Sequence, residues 1–477
     1  MADPRDELPR QLCERIFGDD DQQRFAAESR DFNPMHVDPV AARRLLSGRQ
    51  VVHGVHTLIQ ALDLWQPPAG ATGWAVQCNF AHPVNVGDRV AFTAMHDAHD
   101  RYRLAAVVEG VAATDIVLRR LEQAIGPPDL GDTAPRRIGP LATALDEPPQ
   151  SWVDQCLEIA PWQDRLYALY PGAAALIGAA ALSDLARLSF VVGMVCPGLH
   201  SVFSSLQFTA AGAVTPGPLR VKVTRYDPRF RMFFIAFRGA VQGELRAFLR
   251  PPPQAQPRAA DLAGRVERDS WAGRRALVVG GSRGLGELMA KMLAAAGCDV
   301  TISHALGRDD AAAVAEDIRH LGAGRCDIVA LDLSRPFEPP PMLRAQDMDA
   351  VFYFATPRIQ AKRSQIFHRQ AFDEFASFYL ERFHELCLWL EGGGRPVRVY
   401  LPSTVFVSER PKGMTEYAMA KAAAELLAED LNRTLRHVRI VHTRLPRLAT
   451  DQTAAITPLT TADNVSVLFD VMQAMRV

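Results

Sequence analysis

A carboxylate and an imidazole lie close together near the start of the chain. Asp31 and His36 flank a short segment whose Asn33-Pro34 step favours a loop over a continuous helix. An aspartate and a histidine held at this spacing can divide the general-acid and general-base roles around one water molecule. The pair therefore indicates a site for adding or removing water.

A glycine-rich segment lies in the C-terminal part of the chain, between an apolar strand pattern and a helix pattern. Residues 279–286 read Val-Gly-Gly-Ser-Arg-Gly-Leu-Gly. Glycines let the backbone turn tightly and approach a pyrophosphate, whose charge faces the N-terminus of the following helix. The residues expected to contact a dinucleotide are Gly280, Ser282, Arg283, Gly284, Leu285 and Gly286.

A tyrosine and a lysine lie one helical turn apart further along the chain, at Tyr417 and Lys421. A tyrosine hydroxyl has an ordinary pKa of about 10 and exchanges protons poorly at neutral pH. We expect the Lys421 ammonium to lower the pKa of Tyr417, which would suit that hydroxyl to acid–base chemistry. Ser403 ends a predicted strand, with 13 residues between it and Tyr417.

The charges around the glycine-rich segment indicate which nicotinamide cofactor fits. The second predicted strand of this part ends at 301–304 without the carboxylate that would bind ribose hydroxyls and repel a 2′-phosphate. Arg283 can meet such a phosphate. Arg308 follows closely and could do the same, or could equally be a solvated charge at a helix start. NADP(H) is therefore preferred over NAD(H).

The elements that must position these residues fall into segments separated by Pro-rich stretches. Residues 1–130 and 140–255 each combine helical patterns with alternating strand patterns, which indicates a duplicated α+β unit. In the second of these, one small-residue helix is predicted before the strands. Residues 256–271 are predicted to be a linker. Residues 272–477 alternate apolar strands with helices, the pattern of a doubly wound parallel sheet.

Composition excludes several classes of partner. The 477 residues are 48% apolar and 22% charged, and the net charge is −1 without a long basic run, so neither nucleic acid nor membrane is expected as a partner. The N-terminus lacks an apolar signal core. Charged residues interrupt the most apolar stretch, 172–195, which favours a buried helix. Seven scattered cysteines without a CxxC pair indicate a reduced, cytoplasmic protein with no metal site.

The C-terminal segment resembles the short-chain dehydrogenase/reductase (SDR) family. The resemblance rests on the glycine-rich segment, where Val279 replaces the usual threonine, and on the set Ser403, Tyr417 and Lys421. It implies that Tyr417 donates a proton to the substrate alkoxide, that Lys421 also holds the nicotinamide ribose, and that Ser403 polarises the carbonyl. It also places Asp332, at the end of the third predicted strand, near the adenine.

Three positions depart from the usual SDR pattern. The fourth strand ends Phe354-Ala355-Thr356 in place of Asn-Ala-Gly, and Tyr379 stands where a helix often carries an asparagine. The Pro-Gly step after the sixth strand reads Pro446-Arg447, with little room for a seventh strand beyond it. We therefore expect unusual contacts around the nicotinamide and the substrate.

The N-terminal segment resembles the MaoC-like, (R)-specific enoyl-thioester hydratase family. The family signature is Asp-x-Asn-Pro-x-His followed later by His-Gly, and this chain has Asp31 to His36 and then a His-Gly pair that ends at Gly54. The resemblance implies that Asp31 and His36 share the water and the α-proton of a thioester, while the Gly54 amide holds the enolate oxygen. His53 and His56 are expected to be structural.

This family has a hot-dog fold, in which an antiparallel sheet wraps a central helix. Residues 140–255 lack the signature, so they are expected to be a degenerate hot-dog half that shapes an acyl pocket. Cys196 and His200 could suggest a nucleophile, but a buried cysteine beside a turn is preferred because no third group is evident. The expected fold class is an α+β double hot-dog followed by an α/β Rossmann-like doubly wound parallel sheet.

The two resemblances together indicate consecutive reactions. A ketoreductase makes a 3-hydroxyacyl thioester, and a MaoC-like dehydratase turns that product into the trans-2-enoyl thioester. We therefore predict a bifunctional 3-ketoacyl-thioester reductase and 3-hydroxyacyl-thioester dehydratase, acting on acyl-CoA or acyl-carrier protein with NADP(H). The alternatives are (R)-specific hydration followed by oxidation of the 3-hydroxyacyl-CoA, and a dehydratase with a non-catalytic SDR module. A homodimer is a further, open expectation.

Overall fold

The protein is described by a computed structural model. The described residues are 9–45, 47–67, 73–97, 101–121, 126, 128–131, 133–211, 215–322, 325–359, 367–453 and 460–476. The chain forms two compact units, which meet in sequence between Pro252 and Pro253. We call the N-terminal one unit 1 and the C-terminal one unit 2, and each has apolar core clusters of its own.

Within the described part of unit 1, eleven strands form one sheet that is antiparallel except for one edge pair. The strands are β1 (Arg10–Ile16), β2 (Gly73–Phe80), β3 (Arg89–Asp97), β4 (Arg101–Val108), β5 (Val111–Arg120), β6 (Arg136–Ile138), β7 (Cys156–Ile159), β8 (Ser201–Ala211), β9 (Leu219–Asp227), β10 (Met232–Arg238) and β11 (Val241–Leu249). Their order in the sheet is β1-β3-β4-β5-β2-β8-β11-β10-β9-β7-β6.

This order repeats itself about the centre of the sheet. The first half is β1-β3-β4-β5-β2, and the second half is β7-β9-β10-β11-β8 with β6 added outside β7. The halves join where β2 and β8 pair antiparallel, with Gln77 opposite Gln207. The predicted duplication is thus present as two hot-dog halves that share one continuous sheet. The edge strands β1 and β6, and β7 beside β6, are short or polar, and sequence patterns did not predict them.

Helices fill the inner face of this sheet. They are α1 (Asp19–Ser29), α2 (Pro34–Val37), α3 (Pro39–Ala42), α4 (Gly54–Leu64), α5 (Leu166–Leu169), α6 (Pro171–Ile177) and α7 (Ala179–Phe190), and α7 runs into a wider turn over Val191–Val195. The central helices are α4 in the first half and α7 in the second, and residues such as Leu58, Ile59 and Leu188 are wholly buried there. Burying each such side chain contributes roughly 1.5–3 kcal/mol to folding.

The single small-residue helix predicted for the second half is instead two helices. Gly178 has φ of 92° and ψ of 146°, which ends α6 and starts α7 in a new direction. Among the residues that the structure describes, no single helix is long and apolar enough to cross a membrane. The helices Pro171–Ile177 and Ala179–Val195 reach that length and composition only as a pair bent by 105°.

Unit 2 contains a parallel sheet of six strands within its described residues, ordered β14-β13-β12-β15-β16-β17. The strands are β12 (Arg275–Val279), β13 (Asp299–His304), β14 (Cys326–Ala330), β15 (Ala350–Tyr353), β16 (Val397–Thr404) and β17 (Val438–Leu445). The helices are α8 (Ala259–Leu262), α9 (Gly284–Ala295), α10 (Arg308–Leu321), α11 (Arg369–Ala376), α12 (Phe383–Glu391), α13 (Phe406–Glu409), α14 (Thr415–Thr434) and α15 (Asn464–Ala474).

Helices cover both faces of this sheet. One core cluster includes residues of α9, α10 and α15, and the other includes residues of α11, α12 and α14. The strand order and the two covered faces confirm the predicted Rossmann-like doubly wound sheet. The stretch 256–271, predicted to be a linker, contains α8, and Ala259 and Leu262 are buried in the first of these clusters.

Candidate active sites

The loop that carries Asp31 begins where α1 ends. Arg30 follows α1 with φ of 58°, a left-handed conformation that costs a non-glycine residue roughly 1–2 kcal/mol. A glycine at this position would adopt the same conformation without that cost. The Cζ atom of Arg30 lies 4.8 Å from the ring centroid of Trp162, and this cation–π contact offsets part of the cost.

Asp31, His36 and His53 form one buried cluster, in which the carboxylate and ring-nitrogen atoms lie within 4.8 Å of one another. The His36 Nδ1 atom is 2.5 Å from the carbonyl oxygen of Val51. Because a carbonyl only accepts, Nδ1 carries the hydrogen and Nε2 is left as the base. The His53 ring stacks on His36 at a centroid distance of 3.8 Å, and its Nε2 lies 3.0 Å from the Asp31 carbonyl oxygen.

Burial moves both acid–base groups of this cluster toward their neutral forms. It raises the pKa of Asp31 to about 7, although hydrogen bonds from the Ser189 side chain and the Asn33 amide act in the opposite direction. It lowers the pKa of His36 to about 4, against the opposing effect of the bond to Val51. At neutral pH His36 is therefore an uncharged base, and Asp31 keeps its proton to a higher pH than an ordinary aspartate does.

Gly54 and the two remaining histidines lie on α4 or at its start. Gly54 is the first residue of α4, so its amide has no acceptor within the helix. A Cβ atom at this position would lie 3.0 Å from the Phe80 ring, so a larger residue would have to displace that ring by a few tenths of an ångström. His56 stacks on Phe25 at 4.6 Å and bonds to the Tyr170 hydroxyl at 2.8 Å. These contacts support the structural role expected of His56, whereas His53 touches Asp31.

Metal binding and nucleophilic catalysis by a cysteine fit unit 1 less well. The cluster atoms are close enough to ligate one metal ion, but the two ring nitrogens of His53 lie at hydrogen-bonding distance from Gln22 and from the Asp31 backbone. Cys196 is fully buried, and burial raises the pKa of its thiol well above the usual range. Acid–base chemistry at Asp31 and His36 is the function that this geometry supports.

The glycine-rich segment of unit 2 joins β12 to α9 and forms the floor of a cavity of about 360 Å³. Gly280 has φ of 81°, and a Cβ atom there would lie 2.8 Å from the Ala355 amide nitrogen. A Cβ atom at Gly286 would lie 2.2 Å from the Gly280 carbonyl oxygen. These approaches leave a tight cradle at a helix N-terminus that suits a pyrophosphate. The cavity is lined by every predicted residue of this site: Gly280, Ser282, Arg283, Gly284, Leu285, Gly286, Asp332, Ser403, Tyr417 and Lys421.

Three charged residues expected near the bound cofactor, Arg283, Arg308 and Asp332, differ in their distance from the cavity and in their partners. Arg283 lies 3.6 Å from the carboxylate of Asp451, a buried residue that sequence reasoning missed. Asp332 accepts hydrogen bonds from the amide and hydroxyl of Ser334, and these bonds lower its pKa. Arg308 starts α10 and does not line the cavity, so of the two arginines only Arg283 is placed to meet a bound phosphate.

Tyr417 and Lys421 project from α14 into the same cavity. The Lys421 Nζ atom donates to the Pro402 carbonyl at 2.6 Å and lies 3.7 Å from the ring centroid of Tyr379. Burial lowers the pKa of Lys421 to about 7 and raises the pKa of Tyr417 to about 12. Burial thus raises the pKa of Tyr417, and the group that acts to lower it is Thr404 rather than Lys421 as we expected.

Two neighbouring hydroxyls at the end of β16, those of Ser403 and Thr404, belong to residues that line the cavity. The Ser403 hydroxyl donates to the carboxylate of Glu425. The Thr404 side chain lowers the pKa of Tyr417 by hydrogen bonding, against the larger effect of burial. The role expected of Ser403 at the substrate carbonyl stays a prediction, and Thr404 is a second candidate for it.

Two of the departures from the SDR pattern contact each other. The Thr356 hydroxyl, where the pattern has glycine, hydrogen-bonds to the hydroxyl of Tyr379, where the pattern often has asparagine. Tyr379 is almost fully buried and lies in a widened helical turn between α11 and α12. The third departure, Arg447, also lines the cavity, with its guanidinium 5.6 Å from the ring centroid of Phe406.

Comparisons with known families agree with this division of the chain. Residues 2–116 match the family described as MaoC like domain, and residues 274–339 match the short chain dehydrogenase family. A curated (R)-specific enoyl-CoA hydratase from Aeromonas caviae is 39% identical over 77 residues, which are 16% of this chain and 58% of that protein. The chain thus carries a MaoC-like hot-dog domain at its N-terminal end and an SDR-type domain in its C-terminal part.

Solved structures similar to the chain include several NADP complexes. A short-chain dehydrogenase from Burkholderia cenocepacia in complex with NADP has 22% identity over 44% of this chain and 92% of its own, with a TM-score of 0.36. The angucycline C-6 ketoreductase LanV with bound NADP has 20% identity over 44% and 91% of the two chains, with a TM-score of 0.38.

Proposed function

We propose that the protein is a bifunctional 3-ketoacyl-thioester reductase and 3-hydroxyacyl-thioester dehydratase. The observation that carries this proposal is the presence in one chain of the buried Asp31–His36 pair and of the cavity that holds Tyr417 and Lys421. The alcohol made by the reductase is the substrate that the MaoC-like pair would dehydrate. The acyl group is carried by CoA or by an acyl-carrier protein, and the name of the Aeromonas relative supports a thioester.

In the dehydratase site, the Asp31 carboxylate takes the α-proton of the 3-hydroxyacyl thioester. His36, in its doubly protonated form, gives its Nε2 proton to the departing hydroxyl group and keeps its Nδ1 proton on the Val51 carbonyl. The Gly54 amide, free at the start of α4, stabilises the negative charge that develops on the thioester oxygen. Hydration is the reverse reaction, so each of these proton transfers then takes place in the opposite direction.

In the reductase site, the residues around the cradle fit NADP(H). Its pyrophosphate would be held by the amides at the start of α9, and its 2′-phosphate by Arg283, while no carboxylate ends β13 to oppose that phosphate. When bound, the cofactor supplies the hydride. Thr404 holds the substrate carbonyl beside Tyr417, whose hydroxyl gives its proton to the alkoxide oxygen. Lys421 holds the nicotinamide ribose with its ammonium group.

The first test is one incubation of the purified chain with acetoacetyl-CoA and NADPH. We expect the nicotinamide absorbance to fall and crotonyl-CoA to appear by mass. Tyr417→Phe should abolish the first step but leave hydration of crotonyl-CoA intact, and Asp31→Asn should do the reverse. Full reductase activity in the Tyr417 variant would refute the reductase assignment. Full hydration activity in the Asp31 variant would refute the dehydratase assignment.

One observation favours a second candidate, hydration followed by oxidation of the 3-hydroxyacyl-CoA. With the Asp31 pKa at about 7 and the His36 pKa at about 4, the uncharged pair predominates below neutral pH. This is the state that gives a proton to the α-carbon and takes one from water. Affinities for the four nicotinamide forms distinguish the candidates, because tighter binding of NAD would support the oxidative direction.

A further inference from the structure

The second hot-dog half reaches into the cluster that contains Asp31. The Ser189 hydroxyl, on α7, donates to Oδ2 of Asp31 at 2.7 Å across 158 positions of sequence. Ser189 is 4% exposed and Asp31 is 2% exposed, so water does not compete for this bond. The second hot-dog half lacks the MaoC signature. Within the described residues, it nevertheless supplies the side-chain hydroxyl that donates to the Asp31 carboxylate.

The wider turn that follows α7 also contacts this loop. A Cβ atom at Gly193 would lie 2.1 Å from Oδ1 of Asp31, so only glycine lets the backbone of the turn approach the carboxylate. The Asn33 side-chain amide donates to the Gly193 carbonyl at 2.7 Å and to the Gly198 carbonyl at 3.2 Å. The turn therefore fixes both the aspartate and the loop that carries it.

The other groups that face Asp31 come from the first half. His53, at the start of α4, has its Nε2 3.9 Å from Oδ2, and His36 on α2 stacks against His53. Burial holds the pKa of His53 well below its usual range, so His53 is uncharged at neutral pH. Arg250, which follows β11, acts electrostatically on His36 rather than on Asp31. Ser189 is thus the group from the second half that bonds to the Asp31 side chain.

We propose that Ser189 is a positioning residue for the hydratase reaction, and that the second half is therefore a working part of the Asp31 site. This proposal rests on the proposed function of Asp31 and His36. The hydroxyl fixes the direction of the carboxylate relative to His36 Nε2. It also stabilises the ionised carboxylate, because a donor to a carboxylate favours the charged form.

The sign of the expected pH effect is the same in both directions of reaction. Without the Ser189 donor, the pKa of Asp31 rises further. In hydration Asp31 must be protonated, so the alkaline limb of the rate profile moves to higher pH. In dehydration Asp31 must be ionised, so the acidic limb moves to higher pH. One lost hydrogen bond to a charged group corresponds to a shift of about one pH unit.

The experiment uses the full chain and hydration of crotonyl-CoA. Ser189→Ala should lower kcat about tenfold and move the alkaline limb up by about one pH unit. Ser189→Thr keeps a hydroxyl and should restore the limb to its wild-type position. The matched control is Ser183→Ala on the same helix, whose hydroxyl donates to Asp164 at 2.6 Å and not to Asp31. Its pH profile should equal that of the wild type.

The outcomes separate this proposal from the proposed function. If Asp31→Asn abolishes hydration while Ser189→Ala leaves kcat and the pH profile unchanged, the positioning role is refuted and the dehydratase assignment stands. Equal loss in Ser189→Ala and Ser183→Ala with no movement of the limb also refutes the role, because it indicates general destabilisation. Full activity in Asp31→Asn refutes the dehydratase assignment itself.

Discussion

Replacing Thr404 with valine removes one hydroxyl from the reductase cavity and keeps the shape of the side chain. Thr404 is the residue whose hydrogen bonding lowers the pKa of Tyr417, and it is only 7% exposed, so bulk water does not replace its hydroxyl. Loss of one donor at a developing oxyanion reduces kcat by about 10²–10³. We expect Thr404→Val to lower kcat about 100-fold with acetoacetyl-CoA and NADPH, and Thr404→Ser to retain most of the rate.

Ser403→Ala is the matched control, because it removes the adjacent hydroxyl on the same strand. Ser403 donates to Glu425, which keeps two further bonds from Arg444 at 2.9 Å and 2.7 Å. Loss of one such bond costs about 1.5–3 kcal/mol of unfolding free energy, or roughly 3–12 °C in Tm for a domain of this size. The rate should change little.

Two measurements decide the matter: the decay of nicotinamide absorbance and a thermal unfolding curve for each variant. If Ser403→Ala loses the rate and Thr404→Val keeps it, the assignment of Thr404 is wrong and the spacing-based choice of Ser403 is restored. If neither variant changes the rate while Tyr417→Phe abolishes it, no hydroxyl on this strand polarises the carbonyl.

Three further predictions concern the same cavity. Asp451→Asn should tighten NADPH binding about three- to fivefold, because it removes an ion pair to Arg283 worth about 1 kcal/mol. NADH lacks the 2′-phosphate, so its affinity in a titration should not change. Tyr379→Leu should lower the reductase rate about tenfold by removing the ring 3.7 Å from the Lys421 ammonium, whereas Tyr379→Phe keeps that ring and should stay near the wild-type rate. NADPH binding near pH 7.5 should take up protons, because the anionic phosphates of NADPH raise the pKa of Lys421 from about 7. Binding enthalpies measured by calorimetry in two buffers of different ionisation enthalpy should show this uptake. The uptake should be lost in Lys421→Met.

Local sequence predicted the features that depend on neighbouring residues. The strand, glycine-rich loop and helix at 275–295 follow from apolar periodicity and from the need for glycine at Gly280 and Gly286. The spacing of Tyr417 and Lys421 follows from one turn of a helix. These features are predictable because their geometry is set within a few residues.

Some features were not predicted from the sequence, and their physical causes lie outside any single helix or strand. The helix break at Gly178 depends on a left-handed conformation that glycine permits but does not require. The edge strands of unit 1 exist because the sheet is extended by pairing with distant strands, such as β1 with β3. The helical patterns of the second half predicted its helix but gave no sign of contact with Asp31.

The sequence by itself therefore predicted the two kinds of chemistry, through Asp31 with His36 and through Tyr417 with Lys421. Tertiary structure decided which partners these residues have. Thr404 lowers the pKa of Tyr417 whereas Ser403 donates to Glu425, because the packing of α14 against β16 sets which hydroxyl reaches which partner. Ser189 meets Asp31 because α1, which leads into the Asp31 loop, packs against α7, and a contact across 158 positions leaves no local pattern in the sequence.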